Sequence, residues 1–392
     1  MKTRMRNVIL FVMLMNLITV NLVFGDLPVV PGFIVEVYAE LQRPNTLCFA
    51  PDGVMYVGNG SNSPIVNSVY RIEVGGGPDS VSSYGQSLYD PDAIGYDRDG
   101  LISGTPGAVL TGGWSSPPHF TAILPDGSLK KLWEGPFTNP HDIAFDSTGR
   151  MLLLDPTSRG VYESLGGEIT ELFKCPMQDC CSIAVDLDDN IFISMGHYSE
   201  GMIRAYHTDG TPYEDIVLQS FTTRGPPPIA FGKGGVWGYS LYVITDNVFM
   251  RFDSPLDSPG IYTIIGTGFN GIECGDMEFG PDGALYVLDF VGNKILRIAP
   301  PNPLELVQDL VDLVIQVNLE NGISNSNLEA KLNAALNTLD DINNNNDVAA
   351  INTLVNFINA VIKQRDRGEI PSESAQELID AAQYIIDLLT NG

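Results

Sequence analysis

The sequence predicts an all-β six-bladed propeller followed by a small all-α domain of four helices, and three observations lead to this prediction. A unit of two apolar strands joined by an acidic turn occurs six times between residues 44 and 300. The last unit ends one strand short, and a segment near the N-terminus has the pattern of the missing strand. After residue 303 the spacing of apolar residues changes from the period of strands to that of helices.

Residues 1–25 have the pattern of a signal peptide. Lys2, Arg4 and Arg6 precede an apolar run from Val8 to Val20, and a possible cleavage point follows at Gly25. The run is short for a membrane-spanning helix, and the sequence has no second run of this kind. We therefore expect a secreted or extracellular surface-associated protein with no transmembrane span in the mature chain. An uncleaved N-terminal anchor is the alternative.

The net charge of −27 limits the classes of partner. A field of this sign repels nucleic acid and anionic lipid, so neither is expected to bind. It is compatible with bound cations and also with a surface that is simply well solvated. The partner is expected to be a small molecule, a glycan or a protein, and the sequence leaves the oligomeric state open.

Five cysteines are an odd number for an exported chain, so at least one is unpaired in a monomer. Cys175, Cys180 and Cys181 lie close together in CPMQDCC, which favours a short disulfide from Cys175 to one of the other two. Their spacing fits no zinc-binding pattern.

The six repeated units predict the blades of the propeller, at residues 26–300. Their first strands start 40 to 49 residues apart, which is room for about four strands with loops. Four short strands cannot bury both faces alone, whereas six such units arranged radially can. Aligned on the first strand, the units place six residues in a first column: Asn45, Asp92, His141, Cys181, Pro227 and Gly275. The second column follows one residue later: Thr46, Ala93, Asp142, Ser182, Pro228 and Asp276.

The sixth unit needs a partner strand, because an unpaired outer edge would be exposed. The segment from Phe33 to Tyr38 has the required alternation of apolar residues. We expect it to pair with the strand from Lys294 to Ile298 and so to close the ring.

The carboxy-terminal residues 301–392 predict four amphipathic helices. Their apolar residues recur with a period of 3.6, and breaks rich in Asn, Gly and Ser separate them. A capping box at Ser374 and Glu377 predicts the start of the fourth helix.

The first two columns converge on the channel of a propeller and contain the candidate site. Asn45, Asp92 and His141 come from consecutive blades, and Glu273 lies close in sequence to the column. Amide and carboxylate oxygens suit Ca²⁺ or another divalent cation, so these four residues are the candidate metal ligands. Asp142 or Asp276 would then act as the catalytic base. The alternative is a channel plugged by polar residues that bind only water.

Three further polar residues follow the second strand of their units: Asp155, Asp289 and Asn59. Their side-chain oxygen atoms are expected to accept hydrogen bonds from backbone N–H groups in turns.

Two resemblances add to these expectations. The motifs PxxIAF, PDGxLYVxD and NKILRI resemble the NHL and gluconolactonase/regucalcin group of six-bladed propellers. That resemblance implies a channel metal held by Glu, Asn and Asp in the first column, and a metal-activated water for lactone hydrolysis. This chain departs from the pattern with Asn45 in the place of the Glu, and with Pro227 and Gly275 in late blades.

The helical segment resembles the FIMAH-type module of prokaryotic exported and surface proteins, through its NGISNS loop, AKLNAAL helix and FINAV core. The resemblance implies prokaryotic export and an accessory role. Together the observations predict an exported propeller that acts as a binding or scaffolding module with a helical accessory domain. The alternative is a metal-dependent hydrolase of a lactone or sugar-derived ester, so the sequence leaves open whether the protein is an enzyme. No GxSxG, HExxH or phosphate-loop motif is present in a supporting context.

Overall fold

The computed structural model describes residues 27–60, 68–86, 88, 90–113, 120–177, 179–196, 201–219, 227–245, 247–269, 275–322, 326–339 and 347–391. The predicted signal peptide and its anchor alternative lie outside these residues. The described chain forms two compact units, a propeller that ends at Ala299 and a helical unit that begins at Pro300.

The propeller consists of six four-stranded antiparallel sheets, as the repeats predict. Blade 1 contains β2 (Pro44–Phe49), β3 (Met55–Asn59), β4 (Val69–Ile72) and β5 (Val81–Tyr84). Blade 2 contains β6 (Ala93–Asp97), β7 (Ala108–Gly112), β8 (Phe120–Ile123) and β9 (Leu129–Trp133). Blade 3 contains β10 (Asp142–Phe145), β11 (Met151–Asp155), β12 (Gly160–Ser164) and β13 (Thr170–Lys174).

The remaining blades follow the same order. Blade 4 contains β14 (Cys180–Val185), β15 (Ile191–Met195), β16 (Met202–Tyr206) and β17 (Pro212–Gln219). Blade 5 contains β18 (Ile229–Phe231), β19 (Leu241–Thr245), β20 (Val248–Phe252) and β21 (Thr263–Thr267). Blade 6 combines β22 (Met277–Phe279), β23 (Leu285–Asp289) and β24 (Lys294–Ala299) with β1 (Ile34–Glu40).

The closing strand is confirmed. β1 pairs antiparallel with β24, and Val35 lies opposite Ile298. The strand extends two residues beyond the predicted segment, and its register shifts between Val37 and Ala39. The ring of Tyr38 meets that of Tyr286 edge-on, with centroids 4.9 Å apart. The N-terminal strand therefore supplies the fourth strand of blade 6 and part of its hydrophobic core.

The acidic turns between strands are built as the sequence predicts. In the Pro-Asp-Gly turns that join the first and second strands of blades 1 and 6, Gly53 and Gly283 have φ of 91° and 74°, which glycine adopts without strain. In the same turns, Asp52 and Asp282 accept hydrogen bonds from the backbone N–H two residues later. The second strands pack between blades and are fully buried, with 0% exposure at Val57, Leu153, Ile193, Val243 and Val287.

The predicted disulfide is not formed in this structure. Cys48, Cys175 and Cys180 are free thiols. The Cys180 thiol lies against Cys175, and that contact together with burial raises the pKa of Cys180 far above its usual range. The two side chains pack in the core between blades 3 and 4, so they fill space as apolar residues do.

The helical unit contains four helices in its described residues: α1 (Pro303–Asn321), α2 (Ser326–Leu339), α3 (Asp347–Asp366) and α4 (Ser372–Asn391). Consecutive helices pack together and α1 also packs on α4, around a core that includes Val314, Leu332 and Phe357. The side chain of Asn302 caps α1 by accepting a hydrogen bond from the N–H of Leu304. The start predicted for the fourth helix is wrong, since α4 begins at Ser372 and already includes Ser374. None of the described helices is long and apolar enough to cross a membrane.

Candidate functional site in the central channel

The first strands of all six blades line one cavity of about 510 Å³. These strands are β2, β6, β10, β14, β18 and β22, the strands that carry the aligned columns. Side chains from residues far apart in sequence therefore meet around one axis, as the repeat predicts. The cavity begins at the second column and extends along the strands away from the first.

The wall of the cavity is ordered in successive columns. The third column is apolar: Leu47, Ile94, Ile143, Ile183, Ile229 and Met277. The fourth column is small except for its last member: Cys48, Gly95, Ala144, Ala184, Ala230 and Glu278. The fifth column is aromatic except at one place: Phe49, Tyr96, Phe145, Val185, Phe231 and Phe279. The small fourth column leaves the open volume, and the aromatic fifth column surrounds it on one side.

Asp142 and Asp276 bound the cavity at the second column. Asp142 accepts hydrogen bonds from the N–H of Ile143 at 2.7 Å and from the N–H of Ile183 in the next blade at 2.8 Å. Asp276 accepts them from Met277 at 2.7 Å and from Leu47 in the next blade at 2.9 Å. Each carboxylate thus links its own blade to the next one.

Blades 3 and 6 lie opposite each other in a ring of six, so the two carboxylates interact across the channel. Burial raises the pKa of Asp142 well above its usual range, and the charge of Asp276 raises it further. Burial raises the pKa of Asp276 to about 7, against the effect of the hydrogen bond from Leu47. Of the two residues predicted as catalytic bases, Asp276 thus has a pKa near neutral, and Asp142 has a pKa raised well above its usual range. Their hydrogen bonds also give them a structural role.

Glu278 is the charged side chain that enters the cavity from the fourth column. Burial raises its pKa, and the nearby Lys233 ammonium partly offsets this effect. Lys233 donates a 2.7 Å hydrogen bond to the carbonyl oxygen of Phe279 and lies 3.5 Å from Glu278 Oε1. The charges of Glu278 and Asp276 also raise the pKa of the buried Cys48 thiol, after the larger effect of burial. This end of blade 6 is thus a concentration of negative charge.

Three of the four predicted metal ligands, Asn45, Asp92 and His141, lie in the first column, outside the described lining of the cavity. The Nδ2 of Asn45 donates a 2.7 Å hydrogen bond to Asp92 Oδ1, and both residues are buried. His141 Nδ1 lies 3.1 Å from the carbonyl oxygen of Cys181, and burial lowers the pKa of His141. Glu273 lies outside the described residues. The structure therefore brings Asn45 and Asp92 together, and gives His141 a backbone partner in the next blade.

A divalent metal does not fit the described side chains as they are arranged. Across the described parts of the chain, no group of three His, Cys, Asp or Glu side chains is close enough to hold a metal ion. The Nδ2 atom of Asn45 faces Asp92 as a hydrogen-bond donor, and a metal-binding pair would present oxygen atoms together. We derive no metal-dependent step from this set.

The turn residues have the contacts predicted for them. Asp155 is fully buried and accepts hydrogen bonds from the N–H groups of Thr138, Asn139, Thr157 and Ser158. Asp289 accepts one from Gly292, and Asn59 Oδ1 accepts one from Ser68.

The sequence prediction of the site does not include Glu278 or the aromatic column, because it rests on the first two columns of the repeat alone. The signal was present two residues further along each strand. There, five small residues and one glutamate alternate with the bulky third and fifth columns. A single charged residue in an otherwise small column marks the position where a side chain has room to enter the channel.

The fold is similar to that of known six-bladed propellers, and the likeness shows the fold alone. A gluconolactonase from Xanthomonas campestris has 12% identity and a TM-score of 0.52, and the match covers 69% of this chain and 91% of that one. A putative gluconolactonase has 13% identity and a TM-score of 0.50, with coverage of 69% and 92%. An auxiliary nutrient binding protein from Bacteroides ovatus has 10% identity and a TM-score of 0.51, with coverage of 69% and 77%. No protein-family profile and no curated protein matches the sequence.

Proposed function

We propose that this protein is an exported binding module that holds a small organic molecule in its central channel. The cavity of about 510 Å³ carries this proposal. Binding sites for small molecules are typically concave, mostly apolar and roughly 300–1,000 Å³ in volume, with a few polar groups that orient the ligand. Here the third and fifth columns supply the apolar wall, and Asp142, Asp276 and Glu278 supply the polar groups.

Export rests on the signal-like pattern of residues 1–25. The helical unit is proposed to be an accessory module of the FIMAH type that contacts the cell surface or a partner. Its net acidic composition and four-helix core are compatible with that role. These assignments are separate from channel binding and need their own tests.

Ligand-observed NMR with a library of small organic fragments tests channel binding. We expect fragments that bind the native protein and lose binding in Ala144→Phe, because a phenyl group at the fourth column would fill the cavity. Ser83→Phe is the matched control, since Ser83 is exposed on an outer strand. Thermal unfolding of each variant checks that the fold is intact.

Binding that persists unchanged in a folded Ala144→Phe protein would contradict the proposal. Where that variant fails to fold, Ala184→Leu makes a smaller change in the same column and serves as the second variant. Absence of any fragment that binds the native protein would also count against a channel site.

One observation favours a second candidate, a metal-dependent hydrolase of a lactone or sugar-derived ester. The buried carboxyl groups of Asp142 and Asp276 at the channel have raised pKa values, as the bases of such an enzyme require, although the described first-column side chains would not by themselves hold the metal. Elemental analysis of the purified protein and thermal unfolding with added Ca²⁺, Mn²⁺ or Zn²⁺ test it. A hydrolase of this kind requires a stoichiometric metal or a metal-dependent rise in melting temperature that Asp92→Ala removes. Failure to detect either excludes this candidate and leaves channel binding unaffected.

A further inference from the structure

We propose that the channel ligand is a small organic ammonium ion and that Glu278 is the carboxylate that binds its charge. This inference rests on the proposed function, because it assumes that the cavity is a binding site. It adds the chemical class of the ligand and the residue that selects it.

The shape of the cavity wall indicates that Glu278 is the carboxylate that can contact a ligand. The other five members of the fourth column are three alanines, one glycine and one cysteine, so none extends far from its strand. Glu278 alone in that column has a long side chain, and 35% of it remains accessible. Its carboxylate can therefore meet a ligand that occupies the space left by the five small residues.

The other carboxylates at the cavity are already committed to the backbone. Both oxygens of Asp142 accept backbone N–H groups, and so do both oxygens of Asp276. Asp186 accepts hydrogen bonds from Asp188 and Asn190 in its own turn. Glu278 differs because the partner described for its side chain is another side chain, that of Lys233.

The ion pair with Lys233 does not neutralise the cavity. Lys233 is the one cationic residue in the described lining, which also contains Asp142, Asp186, Asp276 and Glu278. The Lys233 side chain is 59% exposed and its Nζ lies 3.5 Å from Glu278 Oε1, so the pair contributes little. Asp142 does not count toward the charge of the cavity, because its pKa is raised well above its usual range. At pH 8, above the pKa of about 7 of Asp276, the carboxylates of Asp186, Asp276 and Glu278 outnumber Lys233, so a cationic ligand gains from the excess of negative charge and an anionic ligand is repelled.

The aromatic fifth column indicates that the cation is organic. Five of its six members are Phe or Tyr, and four of these, Phe49, Tyr96, Phe145 and Phe231, are partly exposed, whereas Phe279 is buried against Trp237. The four partly exposed rings offer carbon surface to an apolar group and favourable contacts to an ammonium. A metal ion would need several oxygen ligands converging on one point, and the described residues do not provide a group of three such side chains. An ammonium with an attached hydrocarbon uses both the carboxylate and the aromatic wall.

Three probes of similar size and different charge test the inference in the full-length protein. They are benzylamine, benzyl alcohol and benzoate, measured by titration calorimetry at pH 8. We expect benzylamine to bind roughly tenfold or more tightly than benzyl alcohol, because its ammonium forms a charge-assisted ion pair with the Glu278 carboxylate, whereas the hydroxyl is a neutral donor. Benzoate is expected to bind more weakly than either.

Two variants connect the preference to the residue. Glu278→Gln should remove most of the preference for benzylamine over benzyl alcohol, because it removes the charge but keeps the size of the side chain. Glu168→Gln, an exposed glutamate in another blade, is the matched control and should change neither affinity. Lys233→Ala should increase benzylamine affinity severalfold, because it removes the competing cation; this second variant decides the matter where Glu278→Gln does not fold.

The outcomes separate the inference from the function on which it rests. Equal affinity for all three probes would overturn the ammonium inference and support channel binding. A folded Glu278→Gln protein with unchanged benzylamine affinity, or a Lys233→Ala protein with reduced affinity, would also overturn it. Failure of all three probes to bind, together with failure of the fragment screen, would contradict both proposals.

Discussion

Asp142 and Asp276 show how one residue type serves two purposes in a propeller channel. Each accepts the first-strand N–H of the following blade, and Ser182 does the same for Ile229 at 3.3 Å. Side chains of the second column thus join successive blades in three of the six steps. Two of these acceptors are carboxylates in one buried channel. Asp142 and Asp276 therefore repel each other when both are ionised.

The repulsion predicts a dependence of stability on pH. Asp276 has a pKa of about 7 in the folded protein, and Asp142 across the channel and Glu278 on the same strand also have raised pKa values. The folded state therefore retains protons that the unfolded state releases. The free energy of unfolding should decrease as pH rises from about 4 to about 7. Urea unfolding at pH 4.5 and pH 7.5 measures the effect.

Asp276→Asn is expected to reduce this pH dependence, because asparagine does not titrate. The matched control is Asp79→Asn, at an exposed position outside the channel. A pH dependence that is the same in native and Asp276→Asn proteins would contradict the assignment of repulsion to this residue. Cys48 and Lys233 also face this group of carboxylates, and they remain in place in both variants.

Asp155 gives a second prediction at the scale of a residue. It is fully buried and accepts four backbone N–H groups, which Asp155→Ala would leave without their acceptor. We expect a loss of about 3 kcal/mol in the free energy of unfolding, since each unsatisfied buried group costs roughly 1–3 kcal/mol and some will rebond to water. Urea denaturation measures it. Asp209→Ala, in an exposed turn, should cost less than about 1 kcal/mol; equal losses would contradict the structural role of Asp155.

At the scale of an element, the closing strand decides whether the ring behaves as one unit. Ala39 is 2% exposed in β1 and packs in the core shared with blade 1. Ala39→Asp would bury a charge at the joint between the first and last blades, where no cation is paired with it. We expect the melting temperature of the whole propeller to fall by about 5 °C or more, because a buried unpaired charge costs several kcal/mol.

The adjacent and exposed Glu40 gives the control, since Glu40→Asp places the same side chain on the same strand outside the core. It should leave the melting temperature nearly unchanged. If Ala39→Asp also left it unchanged, β1 would be a peripheral segment and not the closure of the ring.

Some secondary-structure elements could be predicted from the sequence, and others could not. The six blades and the closing strand followed from the repeat, because each blade must bury the same two faces and so repeats the same alternation. The start of α4 did not, since two serines lie within one turn. The N–H of Ala375 donates to the carbonyl oxygen of Pro371, which requires Ser374 to be helical already. The helix therefore begins before Ser374, and Ser374 is not its N-cap residue.

The site was predicted less well than the fold for a physical reason. The repeat identifies which residues reach the channel, so Asp142 and Asp276 were found. It does not specify how polar groups pair there: Asn45 turns its Nδ2 atom to Asp92, and His141 meets the carbonyl oxygen of Cys181. Glu278 required a comparison of volumes in the fourth column, since its importance comes from the small size of its five neighbours.

In the whole molecule, an acidic chain forms a ring with a central cavity, and we propose that the protein is exported. The chain carries 48 acidic and 21 basic residues. An acidic protein with an anionic channel attracts small cations to its surface and concentrates them further in the channel. The same charge is expected to repel nucleic acid and anionic membranes, and it favours the cationic ligand proposed for the channel.

Export predicts a defined mature N-terminus. If residues 1–25 are removed as a signal peptide, the exported protein begins at Asp26. Intact-mass measurement of the protein from the culture medium or cell surface of a bacterial expression host checks this. An exported protein that retains Met1 would instead support the uncleaved anchor, and a protein that stays in the cytoplasm would contradict export.

The most direct test of the central claim is a crystal structure of the full chain soaked with benzylamine. We expect electron density for the ligand inside the channel, between the second and fifth columns, with its amine within hydrogen-bonding distance of Glu278. Density for benzylamine at any other place on the molecule, with an empty channel, would contradict it.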